Sequence, residues 1–240
     1  MADHAPGAHP LSAATKAARA AQPAVFPPDF MPDAEAVEAG RLLFAAPSDF
    51  IAGATSSEAV PSDTLPEIAF AGRSNVGKSS LVNALTGRTM LARVSHTPGR
   101  TRQLNFFDLG HRLMLVDLPG YGYAEAGKRD IETWTKLTQL YLKGRASLRR
   151  TLLLIDGRHG IKPPDRPLMT MFDEAAVSFQ IVLTKIDKVP APDLAAILDA
   201  VATEIKTHVA AHPIIHVTSA HEGFGIAELR ATLAQLANPA

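Results

Sequence analysis

A chain of 240 residues and 25.5 kDa, 46% hydrophobic and 20% charged, holds one large domain or two small ones with enough apolar residues to bury a core. It contains no cysteine, which excludes a disulfide framework, a thiol nucleophile, an iron–sulfur cluster and cysteine-ligated zinc. The net charge of zero is unevenly divided, with 3 basic against 8 acidic residues over 1–66 and 17 basic against 7 acidic over 73–166. A positive stretch of that kind is either solvated surface or a face for phosphate or RNA.

The chain begins with an Ala- and Pro-rich segment, residues 1–35, whose composition predicts a flexible tail. It lacks the continuous apolar stretch of a signal peptide, and no run approaches the roughly 18 apolar residues of a membrane span, so a cytoplasmic location is expected. Helical periodicity through Val37, Leu42 and Leu43 predicts a short helix over Ala34–Phe44. Residues 48–64 are ambiguous: Phe50 and Ile51 can start an edge strand, and the Ser/Pro/Asp cluster after them reads as a loop.

From Leu65 onward, short apolar runs alternate with helical stretches. Strands are predicted at Glu67–Ala71, Asn105–Asp108, Leu113–Asp117, Leu152–Asp156, Phe179–Thr184 and Ile214–Thr218. Helices are predicted at Lys78–Thr86, Ile131–Lys143, Arg166–Asp173, Ala191–His208 and Ile226–Leu236. Runs that are apolar without strict alternation belong to strands covered on both faces, so the fold class is α/β, a mostly parallel central sheet with helices on both faces.

The first of these strands runs into Gly72-Arg73-Ser74-Asn75-Val76-Gly77-Lys78-Ser79-Ser80, and a helix follows. G-x-x-x-x-G-K-S in a strand–loop–helix frame is a phosphate loop: its backbone N–H groups wrap a phosphate, and the helix N-terminus behind them favours negative charge. Lys78 is placed to reach the terminal phosphates and Ser79 to ligate magnesium. Asp117-Leu118-Pro119-Gly120 is D-x-x-G at the end of another strand, with Asp117 directed to the hydration shell of the magnesium and the Gly120 N–H to the γ-phosphate. A threonine between the two motifs must close over the metal, and spacing alone leaves Thr89, Thr97 and Thr101 open.

The base is read further on. Thr184-Lys185-Ile186-Asp187 ends a strand, and a carboxylate at Asp187 can accept from guanine N1–H and the N2 amino group together, which adenine cannot match. The stem of Lys185 can lie along the base, and the Thr184 hydroxyl can order the phosphate loop. Thr218-Ser219-Ala220 follows the last predicted strand and offers a backbone N–H, of Ser219 or Ala220, to guanine O6. A P-loop metabolic kinase or ATPase is the alternative; it would share Lys78 and Ser79 but have no use for Asp187.

Taken together, GRSNVGKSS (72–80), TPGRT (97–101), DLPGYGYA (117–124), TKID (184–187) and TSA (218–220) resemble the EngB bacterial GTPases, also called YihA or YsxC, of the TrmE-Era-EngA-EngB group. The likeness covers residues 40–240, and DLPGYGYA is its most specific feature. It implies a Ras-like P-loop GTPase domain over residues 36–240 that turns GTP into GDP and phosphate with low intrinsic turnover. It selects Thr101, beside Gly99 and Arg100, as the magnesium ligand and switch I residue, so that Lys78, Thr101 and Gly120 form the catalytic set. It also implies a monomeric GTPase acting on the large ribosomal subunit or its precursor, with rRNA and ribosomal proteins as partners, and needed for cell division and septation. Ala220 stands where many relatives have a second serine, a harmless change if that position works through its backbone.

Tyr121 occupies the position where many small GTPases carry a water-orienting glutamine, and a phenol lacks that carboxamide geometry. Asn75 matches an asparagine that relatives such as TrmE use to hold a potassium ion beside the phosphates; its other reading is loop geometry. Several further features carry less. His208, His212 and His216 share a spacing of four, but Pro213 interrupts any helix that would align them as metal ligands. Trp134 reads as a core or groove residue between Ile131 and Leu137. Lys143, Arg145, Arg149 and Arg150 form a basic cluster ahead of the strand at Leu152, either solvated or against rRNA backbone. The HEGFG loop at 221–225 reads as a connection into a helix.

Overall fold

Within β2 (Glu67–Gly72), Ile68 and Phe70 point to one face of the sheet and Ala69 and Ala71 to the other, and every residue of the strand is buried. β5 (Leu148–Asp156) repeats the pattern, with Leu152 and Leu154 on the first face and Leu153 and Ile155 on the second. Strands buried on both faces need helices on both, which is why their sequences read as unbroken apolar runs. The computed structural model describes residues 31–62, 65–88, 103–122 and 128–238, without the side chains of 128–134.

The sheet is completed by β1 (Ser48–Ala54), β3 (Leu104–Leu109), β4 (Leu113–Asp117), β6 (Phe179–Thr184) and β7 (His216–Val217), in the order β1-β3-β4-β2-β5-β6-β7. The pairs β1–β3 and β3–β4 are antiparallel, and the four pairs from β4 to β7 are parallel. One face is covered by α1 (Ala34–Ala45), α2 (Lys78–Thr86) and α6 (Ile226–Ala234), through Leu43, Phe44, Leu81, Leu85, Leu229 and Leu233. The other face carries α3 (Lys128–Leu142), α4 (Arg166–Glu174) and α5 (Ala191–Ile205), through Tyr141, Phe172, Leu194 and Val201. This is the mostly parallel, doubly covered sheet of a Ras-like P-loop domain.

Three details depart from the sequence expectations, and one ambiguity is resolved in favour of the edge strand. In α1 the buried face is Gly40, Leu43 and Phe44, while Leu42 is 55% exposed, because the helix seats on α6 by its glycine. The ambiguous segment holds the edge strand β1, with Phe50 and Ile51 outward and a register shift between Phe50 and Ala52. β5 begins at Leu148 rather than Leu152, so Arg149 and Arg150 lie inside a strand, where pairing with β2 extends to Glu67. β7 keeps only His216 and Val217 of the five residues expected, as an edge strand with one neighbour.

The basic cluster also divides. Lys143 and Arg149 are exposed, whereas Arg145 forms an ion pair with the buried Glu67, which also accepts from the Tyr141 hydroxyl at 2.8 Å. Arg150 donates to Gln180 Oε1 at 3.0 Å. Two of the four residues therefore tie elements together, and the cluster is not one solvated basic face. Among the described residues no helix is long and apolar enough to cross a membrane.

Candidate functional site

Parallel strands bring their carboxyl ends to one edge of the sheet, and the motif residues follow those ends. Gly72 closes β2, Asp117 closes β4, Asp156 closes β5 and Thr184 closes β6, with Thr218 directly after β7. Register holds them side by side: Phe70 pairs with Asp117, Gly72 with Leu154, and Asp156 with Thr184. A crevice at such strand ends is where open α/β sheets bind ligands.

Gly77 is the N-cap of α2, so Lys78, Ser79 and Ser80 form its first turn. The loop ahead of it is braced by a Val76 N–H to Arg73 carbonyl bond of 3.1 Å and by Ser74 N–H donating to the Tyr121 carbonyl at 2.9 Å. The Lys78 ammonium contacts Asp117 Oδ1, and Asn105 Nδ2 donates to the other carboxylate oxygen at 3.5 Å. The phosphate-loop lysine and the D-x-x-G aspartate are thus neighbours. Ser79 is exposed at the helix start. A hydroxyl and a carboxylate at this edge are the hard oxygen donors that suit magnesium, so this part of the set fits the ion. Thr89, Thr97, Gly99, Arg100 and Thr101 lie outside the described residues, as do Tyr123 and Ala124, residues 1–30 of the expected tail and the side chain of Trp134.

Leu118 and Pro119 are buried and Gly120 is exposed, so the glycine stands proud of an apolar footing. Tyr121 is only 8% exposed, and its hydroxyl donates to Asp165 Oδ1 at 2.8 Å. Burial first, then the Asp165 charge, push this phenol well above its ordinary pKa, with Arg73 opposing. A buried, protonated phenol turned to Asp165 is not available to orient an attacking water.

The base-side residues converge from two loops. The Thr184 hydroxyl donates to the Val76 carbonyl at 2.6 Å, tying the TKID turn to the phosphate loop. Lys185, in a left-handed conformation, sends its ammonium to the Asn75 carbonyl at 2.5 Å and to Asp156 Oδ2 at 2.9 Å. Burial would raise the Asp156 pKa, but hydrogen bonds from Arg158 and Lys185 hold it below the usual carboxylate range. Ile186 is buried under the 3-10 turn Ile186–Lys188, leaving Asp187 exposed, and the Ser219 hydroxyl donates to Asp187 Oδ1 at 2.7 Å. The Ser219 N–H is committed to the Phe224 carbonyl at 3.0 Å, which leaves Ala220 as the backbone donor of the two considered for guanine O6. Ala220, Lys185, Asp187 and Thr218 line one pocket of about 160 Å³ with Gly77 and Ser80.

Sequence reasoning passed over three contributors. Asp156 and Asp165 are acids beside the phosphate and base loops, and Asp156 was findable as a carboxylate directly following an apolar strand, like Asp117. The HEGFG loop does more than connect. Phe224 fixes Ser219, and Gly225 has φ +72° with its Cα so close to β7 that a Cβ would fall 2.0 Å from the Val217 carbonyl oxygen. Asn75 has φ +63°, a left-handed conformation that asparagine tolerates, so its loop-shaping reading has a direct structural basis. The three histidines part company: His208 pairs with Asp173 at 2.6 Å, His212 accepts from the Ile214 N–H at 3.3 Å, and His216 is buried in β7.

A family model described as a 50S ribosome-binding GTPase matches residues 67–185. A probable GTP-binding protein EngB of Rhodospirillum rubrum is 58% identical over 211 residues, covering 86% of this chain and 91% of its own. Its counterpart from Hyphomonas neptunium is 54% identical over 206 residues, covering 85% of this chain and 94% of its own. A crystal structure of a probable GTP-binding protein EngB superposes with a TM-score of 0.56 at 24% identity, over 71% of this chain and 97% of that one, a likeness of fold alone.

Proposed function

The chain belongs to the EngB family, and from that premise we propose that it binds GTP and GDP, hydrolyses GTP slowly, and acts as a nucleotide-dependent switch on the large ribosomal subunit or its precursor. The observation that carries guanine recognition is the Ser219–Asp187 bond of 2.7 Å. It fixes a carboxylate at the mouth of a pocket that also holds Lys185 and Ala220. A carboxylate so held accepts two donors from one edge of guanine, and adenine presents none there.

In this reading Lys78 leaves Asp117 for the β- and γ-phosphates, and the phosphate-loop N–H groups surround the β-phosphate. Magnesium would be held by Ser79 and, from switch I, Thr101, with Asp117 on its hydration shell; the ion supplies positive charge against the phosphate oxygens. Gly120 offers its N–H to the γ-phosphate. With Tyr121 turned into the core, no described side chain beside Gly120 orients the attacking water, which accounts for slow turnover.

Asp187→Asn tests the base reading, since an amide at this position favours xanthine over guanine. Affinity moving from GDP toward XDP is the expected result; equal loss for both, or no change, is the result for a kinase or ATPase. The switch reading is tested by the affinity of large-subunit precursor particles for the protein with GDP and with a non-hydrolysable GTP analogue. Tighter binding in the GTP form is expected, and equal affinity rules a switch out, because a ligand indifferent to state shifts no population.

A further inference from the structure

Two elements that face the terminal phosphate converge on one buried carboxylate with no place in the hydrolysis scheme. Asp165 stands immediately before α4, its side chain only 1% exposed. Its Oδ1 accepts from the Tyr121 hydroxyl at 2.8 Å and lies 3.7 Å from Arg73 Nε, and its Oδ2 accepts from the Lys162 N–H at 2.7 Å. Arg73 belongs to the phosphate loop, and Tyr121 directly follows Gly120. One acid is therefore tied to the loop that wraps the phosphates and to the glycine that senses the last of them.

We propose that Asp165 is a positioning residue for Gly120: through the Tyr121 hydroxyl it holds Gly120 and Tyr121 against the phosphate loop, so that an arriving γ-phosphate meets a sensor already in place. The inference rests on the GTP reading above and adds to it how state discrimination is built.

Gly120 has no side chain by which to be held. On one side Leu118 is buried, its N–H bonded to the Phe70 carbonyl at 3.0 Å. On the other side the backbone ties are unequal: Ser74 N–H to the Tyr121 carbonyl is 2.9 Å, while Tyr121 N–H to the Gly72 carbonyl is 3.4 Å, near the limit of a hydrogen bond. The phenol–carboxylate bond is charge-assisted and buried, and such bonds are roughly twice as strong as neutral ones. It restrains the side chain of the residue after the sensor. The result is close apposition, since a Cβ on Gly120 would lie 3.3 Å from Ser74 Oγ. GDP has no γ-phosphate and makes no use of this placement, so losing the restraint should weaken the GTP state selectively.

The test is made on the full chain with Tyr121→Phe, Asp165→Asn and the double variant, titrated with fluorescent GDP and a fluorescent non-hydrolysable GTP analogue. Phenylalanine keeps the ring in the core and removes only the hydroxyl. Affinity for the GTP analogue should fall about tenfold in Tyr121→Phe, as for loss of a hydrogen bond to a charged group, while GDP affinity falls far less. The loss in the double variant should be smaller than the sum of the two single losses, because Tyr121→Phe removes, and Asp165→Asn strips of its charge, the same bond. Losses equal for both nucleotides, or none for either, leave the GTP-to-GDP ratio unchanged and overturn the proposal, the first of them assigning the pair a merely structural role. Asp165→Asn also disturbs the turn at Lys162, so if it fails to fold, Tyr121→Phe decides alone. A wild-type chain that binds neither guanine nucleotide overturns the GTP reading beneath the inference, a failure distinct from an unmoved ratio.

Discussion

The Thr184 hydroxyl lies 2.6 Å from the Val76 carbonyl, joining the end of β6 to the phosphate loop across 108 residues of sequence. Both groups are buried, so the bond cannot be replaced by water without rearrangement. Thr184→Val keeps the volume and the β-branch and removes the donor. It leaves a buried carbonyl short of a partner in the loop that must keep its N–H groups aimed at phosphate. We expect GDP release to quicken by about tenfold, for a loss of roughly 1–2 kcal/mol, with little change in far-UV signal. Stopped-flow displacement of fluorescent GDP measures it, and an unchanged release rate would mean that the loop is ordered without this bond.

Gly40 sets the seating of α1. A Cβ there would lie 2.6 Å from the backbone nitrogen of Ala231 and 2.7 Å from the Arg230 carbonyl carbon, both in α6. Two effects oppose each other in Gly40→Ala. Helix propensity favours alanine by about 1 kcal/mol. Overlap with backbone that cannot rotate away typically costs about 1–3 kcal/mol in a packed site. The clash involves three backbone atoms of one helix within 3 Å and should win. We expect Gly40→Ala to lower the melting temperature and Gly40→Val to lower it further, read by thermal unfolding; a rise for alanine would mean that α1 can pivot on α6.

Much of this arrangement is legible in the sequence, and the exceptions share a cause. The stretch from Glu67 to Thr86 is readable because an apolar strand, a fixed-spacing loop and a periodic helix follow one another without interruption. Thr184, Lys185 and Asp187 are readable because base chemistry demands those groups at a strand end. What escapes is pairing at long range. Nothing in the run LRRTLLLID shows that Arg150 meets Gln180, or that Arg145 ahead of it meets Glu67. Composition made those arginines part of a basic cluster, and tertiary contacts made two of them internal. The sequence shows at Tyr121 only the lack of a glutamine, while its partner Asp165 lies 44 residues on, in a loop with no motif of its own. Gly225 escaped for a related reason: only the approach of the Val217 carbonyl makes its missing side chain necessary.

Two histidines at the far end of the sheet make stability depend on pH. Burial, then His212 and Arg150, lower the pKa of His216 to about 3, and burial, then Arg150, lower that of His212 to about 4. In the unfolded chain both return to about 6.5. The unfolded state therefore binds more protons below pH 6.5, and stability that is complete above that value is lost as pH falls toward the folded pKa values. A fully buried histidine, as His216 is and the half-buried His212 is not, contributes a slope of about 1.4 kcal/mol per pH unit in that window. For His216, 2% exposed, that is about 2 kcal/mol between pH 6.5 and 5. Urea midpoints over this range should fall in the wild type, and His216→Leu should flatten the fall by about one proton. An equal slope in the variant would place the titration elsewhere.

Asn75 separates two roles that an alanine substitution would confuse. Its φ of +63° is strained for alanine, so Asn75→Ala changes the loop and the carboxamide together. Glycine adopts that conformation freely and removes only the side chain. If the carboxamide helps to hold a potassium ion beside the phosphates, the ion adds positive charge where it develops least support from water as the β–γ bond breaks. Sodium, being smaller, would meet the same oxygens at poor distances. We expect GTP hydrolysis to run faster in potassium than in sodium at equal ionic strength, and Asn75→Gly to abolish the difference. GDP affinity should survive the change, since the Asn75 carbonyl that receives Lys185 at 2.5 Å belongs to the backbone. The assay should be run with and without large ribosomal subunits, because Thr101 and its neighbours must close over the nucleotide for any such ion to be enclosed. A salt difference that persists in the glycine variant would move the ion away from Asn75, and none in the wild type under either condition would leave the residue with loop geometry alone.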